Sequence, residues 1–193
     1  MNRTLVIMVK VPRPGRVKTR LGKDIGMVAA AWWFRHQTRA LMRRLRDPRW
    51  QIVLAVSPDA EGLCFRGWPG DLPRMAQGQG SLGDRMARAL RSAPPGRVCL
   101  IGADIPGIRR HHIARAFATL GQHDAVFGPA PDGGYWLVGL KQAGRIPAGL
   151  FDKVRWSSPH ALNDSMASLP GKRIALVDQL RDVDTAKDLR QTL

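Results

Sequence analysis

An α/β sandwich on a mainly parallel sheet is the fold class that the sequence predicts, and three observations carry it. Apolar, β-branched runs alternate with segments of helical periodicity along most of the chain, the pattern of βαβ units joined by right-handed crossovers. The first run, residues 4–9 (TLVIMV), has no polar alternation after Thr4, as a strand covered on both faces requires. The 193 residues are 44% hydrophobic and 24% charged, enough for one domain with its own core and unlike a disordered chain.

The elements follow in order. After the first strand, KVPRPGRVKTRLG breaks regular structure at Pro12, Pro14 and Gly15. Residues 27–46 have helical periodicity, with Ala29, Trp32, Trp33, Ala40, Leu41 and Leu45 expected in the core. Arg35, Arg39, Arg43 and Arg46 form another face. Residues 51–56 (QIVLAV) are the second strand, and residues 72–76 are read as a short one within an irregular stretch. Ser81 is the expected N-cap of a helix over 82–92, with Asp84 completing a capping box. A strand at 97–101 ends in GADIPG, and a helix over 109–120 closes at Gly121 as its expected C-cap. Strands at 124–128 and 135–140 flank the loop 129–134. A helix at 158–169, a strand at 173–177 and a helix at 184–192 complete the reading. The strands at 4–9, 51–56, 97–101 and 124–128 are expected at the centre of the sheet.

Composition excludes several classes. Two cysteines, Cys64 and Cys99, cannot make a disulfide framework or a four-cysteine zinc site, and Cys99 falls mid-strand in the core. The first apolar run is far shorter than the ~18 residues that read as a membrane span. It has no cleavage-site pattern after it, so a cytoplasmic protein without a signal peptide is expected. The net charge is +16, and residues 1–50 hold 13 basic and 2 acidic residues. That segment is either a solvated basic surface or a site for a polyanion.

The loops that follow strands carry the candidate chemistry, because ligands of such sheets bind outside the carboxyl ends of the strands. Lys10, Arg13, Arg16, Lys18 and Arg20 follow strand one, on a loop stiffened by Pro12 and Pro14 and opened to close backbone approach at Gly15. Cations so placed suit a di- or triphosphate. The pattern lacks the GxxxxGK[ST] of a P-loop. Asp104 ends a strand and is read as a Mg²⁺ ligand or a helix cap. Asp132, Gly133 and Gly134 are read as a tight hairpin or as a ligand floor with Asp132 near the metal. The stretch 77–85, with Gly80, Ser81 and Arg85, feeds a helix N-terminus that can take an anion or a ribose hydroxyl. Asp182 is a second metal candidate, Asp184 an expected N-cap, and Trp156 an aromatic residue placed in a loop. No serine–histidine–acid trio and no histidine ligand cluster is evident.

Taken together, KVPRPGRVKTRL, QGQGSLGDRM, GADIPG, GPAPDGGYWLVGL, LFDKVRWSS and DVDTAKDL resemble, in the same order, the motifs of an uncharacterised glycosyltransferase-like family. That family lies in the nucleotide-diphospho-sugar transferase superfamily, related to 2-phospho-L-lactate guanylyltransferase and molybdenum cofactor guanylyltransferase. The resemblance implies the three-layer, Rossmann-like glycosyltransferase A fold. It implies one domain over 1–193, with a nucleotide half at about 1–106, an acceptor half at about 107–193 and Mg²⁺ or Mn²⁺ between them. By the same comparison Lys10, Pro14, Gly15, Arg16, Lys18 and Arg20, with Gly80, Ser81 and Arg85, would hold the nucleotide. Asp104 matches the metal-carrying aspartate, with Asp132 as its expected companion. Asp132, Gly133, Gly134, Tyr135 and Trp156 would face the acceptor. The connection from Leu21 to the first helix is short for the family, Ile105 stands where a small polar residue is usual, and Ser158 replaces a usual threonine.

Two functions of different class result. One is a divalent-metal-dependent transferase using a nucleoside triphosphate or nucleotide sugar and a small-molecule acceptor. There Asp104, Lys18 and Arg20 would act at the reacting phosphate, and the absence of an evident base favours an already ionised phosphate acceptor. The other is a non-catalytic module that binds nucleic acid or another polyanion through the basic N-terminal segment, recognisable by steep salt dependence without a metal requirement.

Overall fold

The computed structural model describes residues 2–190. Strands β1 (Arg3–Lys10), β2 (Gln51–Ser57), β3 (Arg74–Ala76), β4 (Arg97–Gly102), β5 (Ala125–Pro129), β6 (Tyr135–Leu140) and β7 (Ile174–Leu176) form one seven-stranded sheet. Its order is β3-β2-β1-β4-β6-β5-β7. The pairs β1–β2, β1–β4, β2–β3 and β5–β7 are parallel. β6 runs antiparallel to both β4 and β5. The sheet is therefore mainly parallel, as the alternation predicts, but β6 and not β5 lies against β4. The cause is local: residues 130–134 are too few for a crossover, so the segment can only turn back as a hairpin.

The helices are α1 (Thr19–Ile25), α2 (Met27–Arg44), α3 (Asp59–Cys64), α4 (Leu82–Ser92), α5 (Arg110–Thr119), α6 (Ala161–Ala167) and α7 (Ala186–Arg190), with a 3₁₀ turn at Ala143–Arg145. α1 and α3 are absent from the sequence reading. α1 forms because Val17 and Leu21, four apart, are both buried. It joins α2 directly through Gly26 at φ +91°, a conformation that side chains rarely adopt. That joint sets the rotation of α2, which buries Ala30, Ala31, Phe34, Thr38, Leu41 and Met42. Ala29 and Trp32 therefore face outward, against expectation: Trp32 is 59% exposed and stacks on His36. The capping box of α4 is as predicted, with Asp84 N–H donating to Ser81 Oγ and Ser81 N–H to Asp84. α5 ends on Leu120 in the right-handed region, so Gly121 is not its cap. At α7 it is Thr185, not Asp184, that exchanges capping hydrogen bonds with Asp188. Residues 191 and 192 of the expected last helix lie outside the described residues.

Helices cover both faces of the sheet. Leu5, Ile7 and Val9 of β1 point into a layer with Leu41, Met42 and Phe117. Val6 and Met8 point the other way, toward Met86, Leu90 and Phe127. Cys99 is fully buried, as expected, and Cys64 is exposed. The chain leaves β1 toward β2 and β3 and returns on the other side of β1 as β4. Loops from β1 and β4 therefore diverge at a reversal of strand order, the place where such sheets open a crevice.

Candidate active site

A cavity of about 580 Å³ opens at that reversal. Lys10, Arg16 and Lys18 reach it from the loop after β1, and Asp104 from the loop after β4. Asp132, Gly134 and Tyr135 line it from the β5–β6 hairpin, and Trp156 and Ser158 from the segment before α6. Asp182 arrives from the C-terminal segment. That segment is docked by Val183, which is fully buried against Leu21 and Ala30, and by the Ala186 N–H donating to Asp24. α1 is thus what carries the 181–185 stretch to the cavity.

Asp104 and Asp182, which line the cavity, converge with Asp184 behind them, one oxygen from each lying within 4.8 Å of the others. Lys18 sits among them. Its backbone is left-handed at φ 46°, its side chain is 7% exposed, and Nζ lies 2.7 Å from both Asp104 Oδ2 and Asp184 Oδ1. Burial opposes the charge on Lys18, but the two carboxylates outweigh it and lift its pKa above that of an ordinary lysine. Burial and then the like charges of Asp184 and Asp104 push the Asp182 carboxyl up to about 6. The Lys18 ammonium thus bridges Asp104 and Asp184, and the Arg20 guanidinium adds a second, exposed partner for Asp184 at 3.0 Å.

The hairpin side is tightly built. Asp132 Oδ1 accepts from the Gly134 N–H at 2.9 Å. Gly133, at φ +84°, lies where a Cβ would fall 2.3 Å from the Pro159 carbonyl oxygen, so only glycine fits. The Gly133 carbonyl accepts from Leu162 N–H and ties the turn to α6. Tyr135 is half-buried beneath, its hydroxyl accepting from Ser165 at 3.1 Å. Trp156 packs on Tyr135 and Phe151 and reaches α4 where Gly83 has no side chain.

The structure gathers Lys10, Arg16, Lys18, Asp104, Asp132, Gly134, Tyr135 and Trp156 on one cavity. Other sequence candidates are elsewhere. Arg20, 73% exposed, does not line the cavity but pairs with Asp184 of the carboxylate group at 3.0 Å from the outside. Pro14, Gly15, Gly80, Ser81 and Arg85 do not line the cavity; Ser81 is a helix cap and Arg85 donates to the Gly80 carbonyl. Asp132 stands outside the carboxylate group, whose second and third members are Asp182 and Asp184. Sequence reasoning gave Asp182 a minor place and Asp184 a capping one. The signal was the DVD repeat, two acids flanking a valine that has to be buried. Gln77 was also missed: it is buried and lines the cavity, donating Nε2 to the Ala55 carbonyl at 2.8 Å.

Residues 40–158 match the family described as "Uncharacterized protein conserved in bacteria (DUF2064)". No curated protein matches the chain in sequence. Among solved structures, a protein of Desulfovibrio desulfuricans G20, named provisionally as a nucleotide-diphospho-sugar transferase, is similar at a TM-score of 0.87 and 31% identity, over 96% of this chain and 84% of that one. 4-Diphosphocytidyl-2C-methyl-D-erythritol synthase of Anaerococcus prevotii DSM 20548 is similar at a TM-score of 0.63 and 11% identity, over 99% and 94% of the two chains. Rv0371c of Mycobacterium tuberculosis H37Rv, in a complex with manganese, gives 0.58 and 14% over 100% and 98%. The fold is that of the nucleotide-diphospho-sugar transferases.

Proposed function

We propose that this chain, which belongs to the bacterial family DUF2064, is a divalent-metal-dependent transferase that takes a nucleoside triphosphate or a nucleotide sugar. The observation that carries the reading is the meeting of Asp104, Asp182 and Asp184 beside Lys10 and Arg16 at the reversal of strand order. Three carboxylates, met by the Lys18 ammonium and at Asp184 by the exposed Arg20, form an oxygen-rich set that suits Mg²⁺ or Mn²⁺. When bound, such an ion would supply charge neutralisation and polarisation at phosphate oxygens. The manganese complex of Rv0371c and the name of the cytidylyl-type synthase support the same reading by likeness of fold. The name of the Desulfovibrio protein supports it at higher identity.

In this reading Lys10 and Arg16 hold the donor phosphates, and Lys18 positions Asp104 and Asp184. Tyr135 and Trp156 form the floor under the acceptor. The cavity wall formed by Ala130, Gly134, Tyr135, Trp156, Ser157, Ser158 and Ala161 includes no lysine or arginine. That favours a hydroxyl-bearing, uncharged acceptor over the ionised phosphate expected from the sequence, with Asp132 as the carboxylate on that side to take its proton. A thermal-shift panel of nucleoside triphosphates and nucleotide sugars, with Mg²⁺ or Mn²⁺ and with chelator, tests the reading. A cognate nucleotide at ~100 times its Kd adds about 2.7 kcal/mol, and only with metal. Equal effects in chelator, or none from any nucleotide, refute it.

A further inference from the structure

Arg44 near the end of α2 and Arg109 and Arg110 at the start of α5 line an open groove of about 830 Å³, with Arg49, His111 and Ala114. No carboxylate pairs with the first three among the described residues. Arg44 donates Nε to the Ile108 carbonyl at 2.8 Å and Nη2 to that of Pro106 at 3.0 Å. Arg109 donates Nη1 to the same Pro106 carbonyl at 2.7 Å, and Arg110 donates Nε to the Arg44 carbonyl at 2.9 Å. Carbonyl oxygens orient a guanidinium without cancelling its charge.

Many arginines elsewhere in the molecule do have acids: Arg13 pairs with Glu61, Arg46 with Asp71 and Arg155 with Asp164. Beside the groove, Asp47 is held by both Nε and Nη2 of Arg49. Burial and then the like charge of Arg109 push the Arg44 guanidinium below the ordinary arginine range, and Asp47 is the carboxylate that the field of Arg110 reaches.

We propose that this groove binds a small oligophosphate anion, at a site separate from the cavity lined by Lys10 and Arg16. Each guanidinium has five N–H donors and uses only one or two here, so unused donors remain on arginines whose geometry is already fixed. Such pre-set forks recognise phosphate oxygens at reduced ordering cost. The positive end of α5 adds to the field. Pro106 and Ile108 follow Asp104 directly, so an anion that draws on Arg44 and Arg109 bears on the segment that carries that aspartate. The inference rests on charge and geometry at the groove and does not require the cavity to be a transferase site.

Titration calorimetry with inorganic pyrophosphate in metal-free buffer at fixed ionic strength tests it. Three paired variants are compared with the unaltered chain: Arg109→Ala with Arg110→Ala at the groove, Lys10→Ala with Arg16→Ala in the cavity, and Arg35→Ala with Arg39→Ala on α2. All six side chains belong to exposed residues, and circular dichroism checks that each variant is folded. The groove pair lowers pyrophosphate affinity roughly tenfold or more and the α2 pair changes it less than about twofold, while the cavity pair, whatever it removes at the donor-phosphate site, leaves the binding that the groove pair abolishes. No pyrophosphate binding by the unaltered chain, or loss confined to the cavity pair, overturns the proposal. So does an equal loss in all three, or a single-stranded oligonucleotide that binds where pyrophosphate does not. Failure of the metal-dependent nucleotide panel leaves this result untouched, and the reverse also holds.

Discussion

Lys18 is the residue on which the charge of the cavity turns. Its left-handed backbone aims the side chain inward, and its ammonium holds Asp104 and Asp184 at 2.7 Å each. Removing one partner of a fully buried pair costs ~3–5 kcal/mol. Here the carboxylates keep 31% and 35% exposure, so Lys18→Met is expected to lower stability by about 2 kcal/mol in urea unfolding. Saturating Mn²⁺ is expected to shrink that deficit, because the cation takes over the neutralising part. Arg20 belongs to a different class. Sequence reasoning grouped it with Lys18 because both follow the same stiff turn. A helix begins between them, and at 73% exposure Arg20 is a surface partner of Asp184. Arg20→Ala is expected to change nucleotide affinity no more than about fivefold, in line with exposed pairs. Arg16→Ala, which removes a cavity cation, is expected to cost roughly tenfold to a hundredfold. Calorimetry of both against one metal–nucleotide pair decides. Lys18 and Asp104 were legible because each lies in a loop that follows a strand. Asp182 and Asp184 were not, because only the docking of Val183 beside α1 brings them across the molecule.

At the scale of elements, the start of α5 holds a pH-sensitive cap. The Arg109 N–H donates to His112 Nδ1 at 3.0 Å, which requires that nitrogen to be unprotonated. Burial first, then the charge of His111, lower the His112 pKa below the ordinary 6.5. The folded state thus binds this proton more weakly than the unfolded chain. The associated stability is complete above pH ~6.5 and is lost as pH falls through the folded pKa. His112→Gln keeps an acceptor that does not titrate. Thermal melts are expected to show a smaller decline between pH 7 and 5 in that variant than in the unaltered chain, and equal declines refute the cap. At α4, Ser81→Ala removes a predicted and observed cap and is expected to cost about 1 kcal/mol without affecting nucleotide affinity. Capping boxes and apolar runs are local, so the sequence reading found them. The antiparallel β6 follows from the length of a turn, and the outward face of α2 from the joint at Gly26. Both depend on what the neighbouring element does, which periodicity does not record.

Over the whole molecule, a net charge of +16 resolves into distinct environments. Exposed Arg–Asp pairs cancel and add nothing to it; the excess lies partly on the α2 face, partly in the carbonyl-braced groove at α5 and partly beside three converging aspartates. Composition alone could not separate these, because it counts charges without placing them. Among the described residues, the cavity joins cations to carboxylates at the reversal of strand order, and the proposed transferase reading rests on that combination. Its most direct test is a Mn²⁺ titration followed by electron paramagnetic resonance, on the unaltered chain and on Asp104→Asn, with and without the nucleotide that stabilises best. A single Mn²⁺ site whose affinity rises with nucleotide is the expected result. In Asp104→Asn it should weaken by at least the roughly 10–100-fold that loss of an outer-shell partner costs. Mn²⁺ that stays free in solution, or binding that Asp104→Asn leaves unchanged, would contradict it.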